Sequence, residues 1–117
     1  MLFVCYPKCS TCQKAKKWLV DNSFEFEERN IVEEHPTFEE LKAWKERGNV
    51  PLKKMINTSG MLYRQMQLKE KLPTMQEEEV LQLLSTNGML VKRPILVSED
   101  IVLFGFREKE YACIKKD

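Results

Sequence analysis

The apolar run Leu2-Phe3-Val4-Cys5-Tyr6 passes directly into Pro7-Lys8-Cys9-Ser10-Thr11-Cys12, and a helical pattern leaves it. No other stretch limits the fold as strongly. A strand that stops at a proline and turns at once into a helix puts two cysteines, three residues apart, at a strand-to-helix corner. Amides at a helix start favour the anionic form of the first sulfur. The thiolate is the nucleophile, and a second cysteine one turn on can attack a mixed disulfide formed by the first. Cys9 is therefore the candidate nucleophile and Cys12 the candidate resolving thiol. Two other readings stay open. One is a structural zinc half-site, whose further ligands would have to come from Cys5, His35 or Cys113, since no second C-x-x-C or H-x-x-x-H exists. The other is a pair of inert buried cysteines. Cys5 and Cys113 read as small core or surface thiols without a role. His35, the only histidine, reads as an exposed loop residue.

The 117 residues are enough for a single domain, 1–117, with its own core. A formal net charge of +1 argues against direct nucleic-acid binding. No apolar run approaches membrane-spanning length, and Met1 opens straight into a strand pattern. The expectation is a cytoplasmic protein with no leader, no membrane contact, no bound metal and no bound cofactor. In that compartment a C-x-x-C is more often catalytic, redox-sensing or metal-bound than a lasting disulfide.

Along the chain, Ser10 or Thr11 can cap the helix after the corner, with Cys12, Ala15, Trp18 and Leu19 on its buried face. Lys8 and Lys14 flank the thiols and add minor positive potential. Glu25–Asn30 alternates as a half-exposed strand, completing a parallel β-α-β unit. Thr37 and Glu40 form a capping box, Phe38, Leu41 and Trp44 face a core, and Gly48 is placed to stop that helix. A short helix carries Leu52, Met55 and Ile56. Asn57-Thr58-Ser59-Gly60 reads as a tight corner whose amides bind an anion or cap another short helix. Leu68–Pro73 is a short amphipathic segment. Thr74 and Glu77 spell a second capping box, followed by a helix burying Val80, Leu81, Leu83 and Leu84 and ending at Asn87-Gly88. After Val91-Lys92-Arg93 an apolar strand begins at Pro94, a residue tolerated at a strand's first position; Ile95–Val97 and Ile101–Phe104 read as an antiparallel hairpin, and Glu108–Ile114 as a last helix. The Lys115-Lys116-Asp117 tail is expected to fray. The order is β-α-β, helices, then β-β-α. That is an α/β, thioredoxin-like layout with a mixed sheet, its core at about 1–36 and 88–117 and an all-helical insert at about 37–87.

Taken together, the C-x-x-C after the first strand, Asn57-Thr58-Ser59-Gly60 with Tyr63-Arg64, Lys92-Arg93-Pro94-Ile95, and Gly105-Phe106-Arg107 resemble one family over nearly the whole chain. It is the arsenate reductase (ArsC) family, which also contains the Spx transcriptional regulators. The resemblance implies that Cys9 is the nucleophile that attacks arsenate. Glutathione then forms a mixed disulfide with it, and glutaredoxin or a thioredoxin-type reductant regenerates the thiol. It implies that Arg93 binds the oxyanion and lowers the thiol pKa, that Arg107 is a second oxyanion ligand, and that Pro94 is a structural cis-proline beside the active cysteine. Arginine suits such an anion because its planar fork stays charged and binds two oxygens at once. Arg64, Ser10 and Thr11 complete the candidate oxyanion set. Two departures stand out. Where those reductases carry a third arginine, this chain reads Asn57-Thr58-Ser59-Gly60, with Arg64 a turn or more beyond. Cys12 stands where many of them have another residue, and a C-x-x-C is more like the Spx regulators, which bind RNA polymerase and use the pair as a disulfide switch. The residues thus imply a thiol-dependent oxidoreductase, with a redox-sensing regulator as the alternative.

Overall fold

A computed structural model describes residues 1–114; the tail assigned to fraying lies outside them. Four strands, β1 (Leu2–Cys5), β2 (Glu27–Asn30), β3 (Ile95–Val97) and β4 (Val102–Phe104), form one sheet in the order β2-β1-β3-β4. β1 pairs parallel to β2, with Leu2 opposite Glu27, and antiparallel to β3, with Phe3 opposite Leu96. β3 and β4 close the antiparallel hairpin. The mixed α/β, thioredoxin-like sheet expected from the sequence is present.

β1 is apolar throughout because both of its faces are covered. Phe3 and Cys5 point to one side, packing with Cys12, Ala15 and Leu19 of α1 (Ser10–Asp21), with Leu96, and with Tyr111 of α6 (Glu108–Tyr111). Val4 points to the other, with Ile95, Val97, Val102 and Phe104, against the helices between β2 and β3. The side-chain period of two divides one strand between two cores. Phe3, Leu19 and Leu96 are fully buried, each contributing about 1.5–3 kcal/mol of apolar transfer. β2, by contrast, reads Glu-Glu-Arg-Asn and forms a sheet edge, where charge discourages pairing with another chain.

Between β2 and β3 lie α2 (Phe38–Gly48), a 3-10 turn (Leu52–Met55), α3 (Met61–Gln65), α4 (Leu68–Lys71), a 3-10 turn (Leu72–Thr74), α5 (Glu77–Leu84) and a 3-10 turn (Gly88–Leu90). The Thr37/Glu40 capping box forms in both directions. Arg29 on β2 holds the same Glu40 through two bonds of 2.7 and 2.8 Å, fixing the start of α2 to the sheet edge. Four expectations are corrected. Asn49, with φ 49°, takes the left-handed cap after α2. Gly48 instead permits close approach, since a Cβ there would sit 2.9 Å from the Val102 carbonyl oxygen. The box before α5 lies two residues later than Thr74/Glu77: the Gln76 amide donates to the Glu79 carboxylate at 3.0 Å, and the Thr74 hydroxyl donates to the Lys71 carbonyl. β2 begins at Glu27, two residues after the expected Glu25, and Val91, ahead of β3, bridges to Ile56. α6 ends at Tyr111, short of Ile114.

Candidate active site

Cys9 is itself the N-cap of α1, in extended conformation, and Ser10 is already helical. The cap expected from Ser10 or Thr11 is therefore absent, and Cys9 stands at the N-cap position without a side-chain capping bond. The Cys9 amide donates to the Tyr6 carbonyl at 3.0 Å, and the Gln13 amide donates to the Cys9 carbonyl at 3.1 Å. These bonds pin the corner on both sides of the sulfur.

Burial opposes ionisation of Cys9, but hydrogen bonds outweigh it. The backbone N–H and the thiol of Cys12, the Arg93 guanidinium and the Thr11 N–H beside the sulfur favour the thiolate and hold the Cys9 pKa below its ordinary 9.0. Cys12 has the opposite setting. It is 1% exposed. Burial pushes its pKa up to about 12, the Tyr6 amide counters weakly, and the neighbouring Cys9 adds to the rise. The Tyr6 N–H donates to Cys12 Sγ at 3.3 Å. All four cysteines are free thiols; Cys5 is buried and Cys113 exposed.

Arg93 arrives from the other half of the sheet, just before β3, and the Arg93–Pro94 peptide bond is cis. Its guanidinium carbon lies 5.1 Å from the centroid of the Tyr6 ring, and its Nη1 lies 3.5 Å from Met89 Sδ. The Gly105 amide donates to the Pro94 carbonyl at 2.8 Å, and Gly105 is left-handed at φ 87°. That turn carries Phe106 and Arg107 to the same side as Cys9.

Cys9, Thr11, Arg93 and Arg107 open on one cavity of about 460 Å³. The Asn57-Thr58-Ser59 corner lines it as well. Asn57 is anchored there by its amide on the Leu90 carbonyl and its side chain on the Met89 carbonyl. Ser10 and Arg64 are exposed and outside this lining; Arg64 belongs to α3. Gly60 caps α3. The cations that the sequence did not single out are Lys53, Lys54 and Lys92. Lys53 and Lys54 sit on the first 3-10 turn, and only the turn-like Asn49-Val50-Pro51 preceding it hinted at a structured wall. Among the described residues no cluster of three His, Cys, Asp or Glu side chains could hold a metal ion, and no helix is long and apolar enough to cross a membrane. His35 is exposed in the loop before α2.

A mixed four-stranded sheet with a C-x-x-C at the end of its inner strand β1 defines a thioredoxin-like thiol protein. The sequence model of the ArsC family matches residues 5–114, and the chain belongs to that family. It is 50% identical over 111 residues, 95% of this chain and 94% of the other, to the uncharacterized protein YusI of Bacillus subtilis. It is 32% identical to the regulatory protein MgsR of the same organism, covering 99% of this chain and 90% of MgsR. It is also 32% identical to the global transcriptional regulator Spx of Enterococcus faecalis, covering 89% of this chain and 77% of Spx. Among solved structures, an ArsC family related protein from Bacteroides fragilis superposes with a TM-score of 0.93 at 56% identity, over 95% of this chain and 93% of the other. A possible arsenate reductase from Streptococcus mutans superposes at 0.84 with 40% identity, over 91% and 90%.

Proposed function

We propose that this chain is a thiol-dependent reductase in which Cys9 attacks an electrophile held in the cationic cavity and Cys12 resolves the adduct. One observation carries the reading: the neighbouring thiols have opposite settings, Cys9 opening on the cavity beside Arg93 and held below its ordinary pKa, Cys12 sealed and pushed above it. A nucleophile needs the first setting, and a resolving thiol that must wait its turn needs the second.

In the first step the Cys9 thiolate forms a bond to arsenic(V), expelling hydroxide that leaves as water, or to one sulfur of a disulfide, expelling the other as thiolate. Arg93, with Arg107 across the cavity, offsets the negative charge that develops. Cys12 then loses its proton and attacks Cys9 Sγ. The new S–S bond releases arsenite, two electrons richer, or the second thiol. Glutathione with glutaredoxin, or a thioredoxin-type dithiol, returns the Cys9–Cys12 disulfide to two thiols.

A second reading has support in the relatives named as regulators, MgsR and Spx, at 32% identity. There the same pair would act as an oxidation sensor on a protein that binds RNA polymerase. One experiment separates the two. Purified protein is given arsenate, or a disulfide, with glutathione, glutaredoxin, glutathione reductase and NADPH, beside Cys9→Ser. NADPH consumption that the substitution abolishes supports the reductase. No turnover with either substrate, together with specific capture of RNA polymerase, supports the regulator.

A further inference from the structure

We infer that the electrophile is a small organic disulfide carrying an anionic group several bonds from its sulfurs, and that Lys53, Lys54 and Lys92 hold that group. This rests on the reductase reading and narrows it.

The cavity carries five cations, Lys53, Lys54, Lys92, Arg93 and Arg107, against one carboxylate, Glu110. None of the five forms an ion pair with a described carboxylate; the pairs that do form use Lys16, Lys17, Arg29, Lys42 and Lys45. Arg93 is committed to the reacting centre through the Cys9 sulfur, the Tyr6 ring and Met89. Arg107 enters α6 as its N-cap residue, from the turn beside Pro94. The three lysines come from elsewhere. Lys53 and Lys54 project from the 3-10 turn between α2 and α3. Lys92 is laid along Gly105, where a Cβ would come within 3.2 Å of its Cε. A tetrahedral oxyanion bonded to Cys9 is satisfied by the arginines and leaves the lysines without a partner. Like charges gathered in one cavity repel, and a ligand with a second negative group relieves them. The volume, about 460 Å³, falls in the range of sites for small organic molecules, roughly 300–1,000 Å³, far above the size of an inorganic oxyanion. Ile56, Phe104 and Phe106 supply apolar wall for the carbon skeleton between the two ends.

The chemistry balances with the disulfide as oxidant. The Cys9 thiolate attacks one sulfur, and the other leaves as a thiolate that takes up a proton. Cys12 gives up its proton and attacks Cys9 Sγ, releasing the second small thiol. One disulfide and two protein thiols become two small thiols and the Cys9–Cys12 disulfide.

The test mixes the reduced protein with oxidised glutathione, 3,3′-dithiodipropionate, neutral hydroxyethyl disulfide and cationic cystamine at low salt, reading adduct and protein disulfide by mass spectrometry. The two dianionic disulfides are expected to react about tenfold faster than the neutral disulfide, with cystamine slowest. Lys53→Gln/Lys54→Gln should cut the ratio of dianionic to neutral rates by about threefold to fivefold, and added salt should cut it in the wild type. Equal rates for all charges in the wild type, or a ratio that neither the double substitution nor salt changes, would overturn the inference while leaving Cys9 as the nucleophile. Arsenate turnover without reaction of any disulfide would also overturn it and leave the reductase standing. Failure of arsenate and all disulfides alike would remove both.

Discussion

The Tyr6 ring is predicted to set the acidity of Cys9 through Arg93. The guanidinium sits over the ring at 5.1 Å, while Tyr6 uses only backbone atoms on the thiols: its carbonyl receives the Cys9 amide and its amide serves Cys12 Sγ. Tyr6→Leu therefore removes the ring and leaves those bonds in place. A cation over an aromatic face contributes about 0.5–1 kcal/mol where exposed and about 2 kcal/mol where desolvated. Tyr6 and Arg93 are both half-buried, so about 1 kcal/mol is the fitting value, or roughly 0.7 of a pKa unit at the thiol when Arg93 swings away. The assay is the pH dependence of iodoacetamide alkylation at Cys9, followed by mass spectrometry, with thermal melts to confirm folding. Tyr6→Leu should raise the apparent pKa by about half a unit to one unit, and Tyr6→Phe should stay near the wild type. Arg93→Gln should raise it at least as much, and adding Tyr6→Leu to Arg93→Gln should change nothing further. An unchanged pKa in Tyr6→Leu beside a raised one in Arg93→Gln would refute the reasoning. So would an equal rise in both backgrounds.

Four further outcomes are expected. At neutral pH iodoacetamide should modify Cys9 well before Cys12, because Cys9 is acidified and partly open and Cys12 is neither; equal rates would end the case for an activated first thiol. Burial pushes Cys5 up to about 11 and Cys12 up to about 12 from 9.0, so their contribution to stability is full below pH 9 and drains away as pH rises through those values. Urea midpoints under reductant should fall between about pH 7.5 and about pH 10.5, less so in Cys12→Ala; Cys9, with its lowered pKa, works in the other direction, its contribution being lost as pH falls through the folded value. Gly88→Ala should cost about 3 kcal/mol in chemical denaturation, because a Cβ there would overlap the Ile31 carbonyl oxygen; a loss below about 0.5 kcal/mol would mean that the 3-10 turn yields freely. Arg29→Gln should cost about 1–3 kcal/mol, since it strands the half-buried Glu40 carboxylate that also caps α2; an unchanged melting temperature would show that water replaces the guanidinium.

The sheet was readable because its signals are local. β1 is apolar on both faces, β2 is charged at the edge, and Pro94 and Gly105 punctuate the last two strands. The capping box before α5 is ambiguous in sequence because Glu77, Glu78 and Glu79 run consecutively, so both Thr74 and Gln76 stand three places before a glutamate. Geometry chose Gln76, which takes the extended N-cap backbone. The placement of Cys9 and Arg93 on one cavity follows from the corner and from the residue before a proline. That of Lys53 and Lys54 does not follow from sequence, since two lysines on a short turn look the same whether they face bulk water or a cavity wall. Only the docking of that turn against Leu90 and Val91, through the Ile56–Val91 bridge and the Asn57 amide, decides it. Arg64 lies on α3, beyond the Asn57-Thr58-Ser59 corner that lines the cavity, and its exposed side chain is outside that lining.

The antiparallel pairing of β1 with β3 joins the two ends of the chain, and Arg93 reaches Cys9 only because of it. During synthesis both cysteines leave the ribosome well before the guanidinium. Until the final hairpin docks, the first thiol lacks its strongest side-chain cation and the second lacks its seal. How quickly Cys9 alkylates therefore becomes a gauge of how many molecules have completed their assembly.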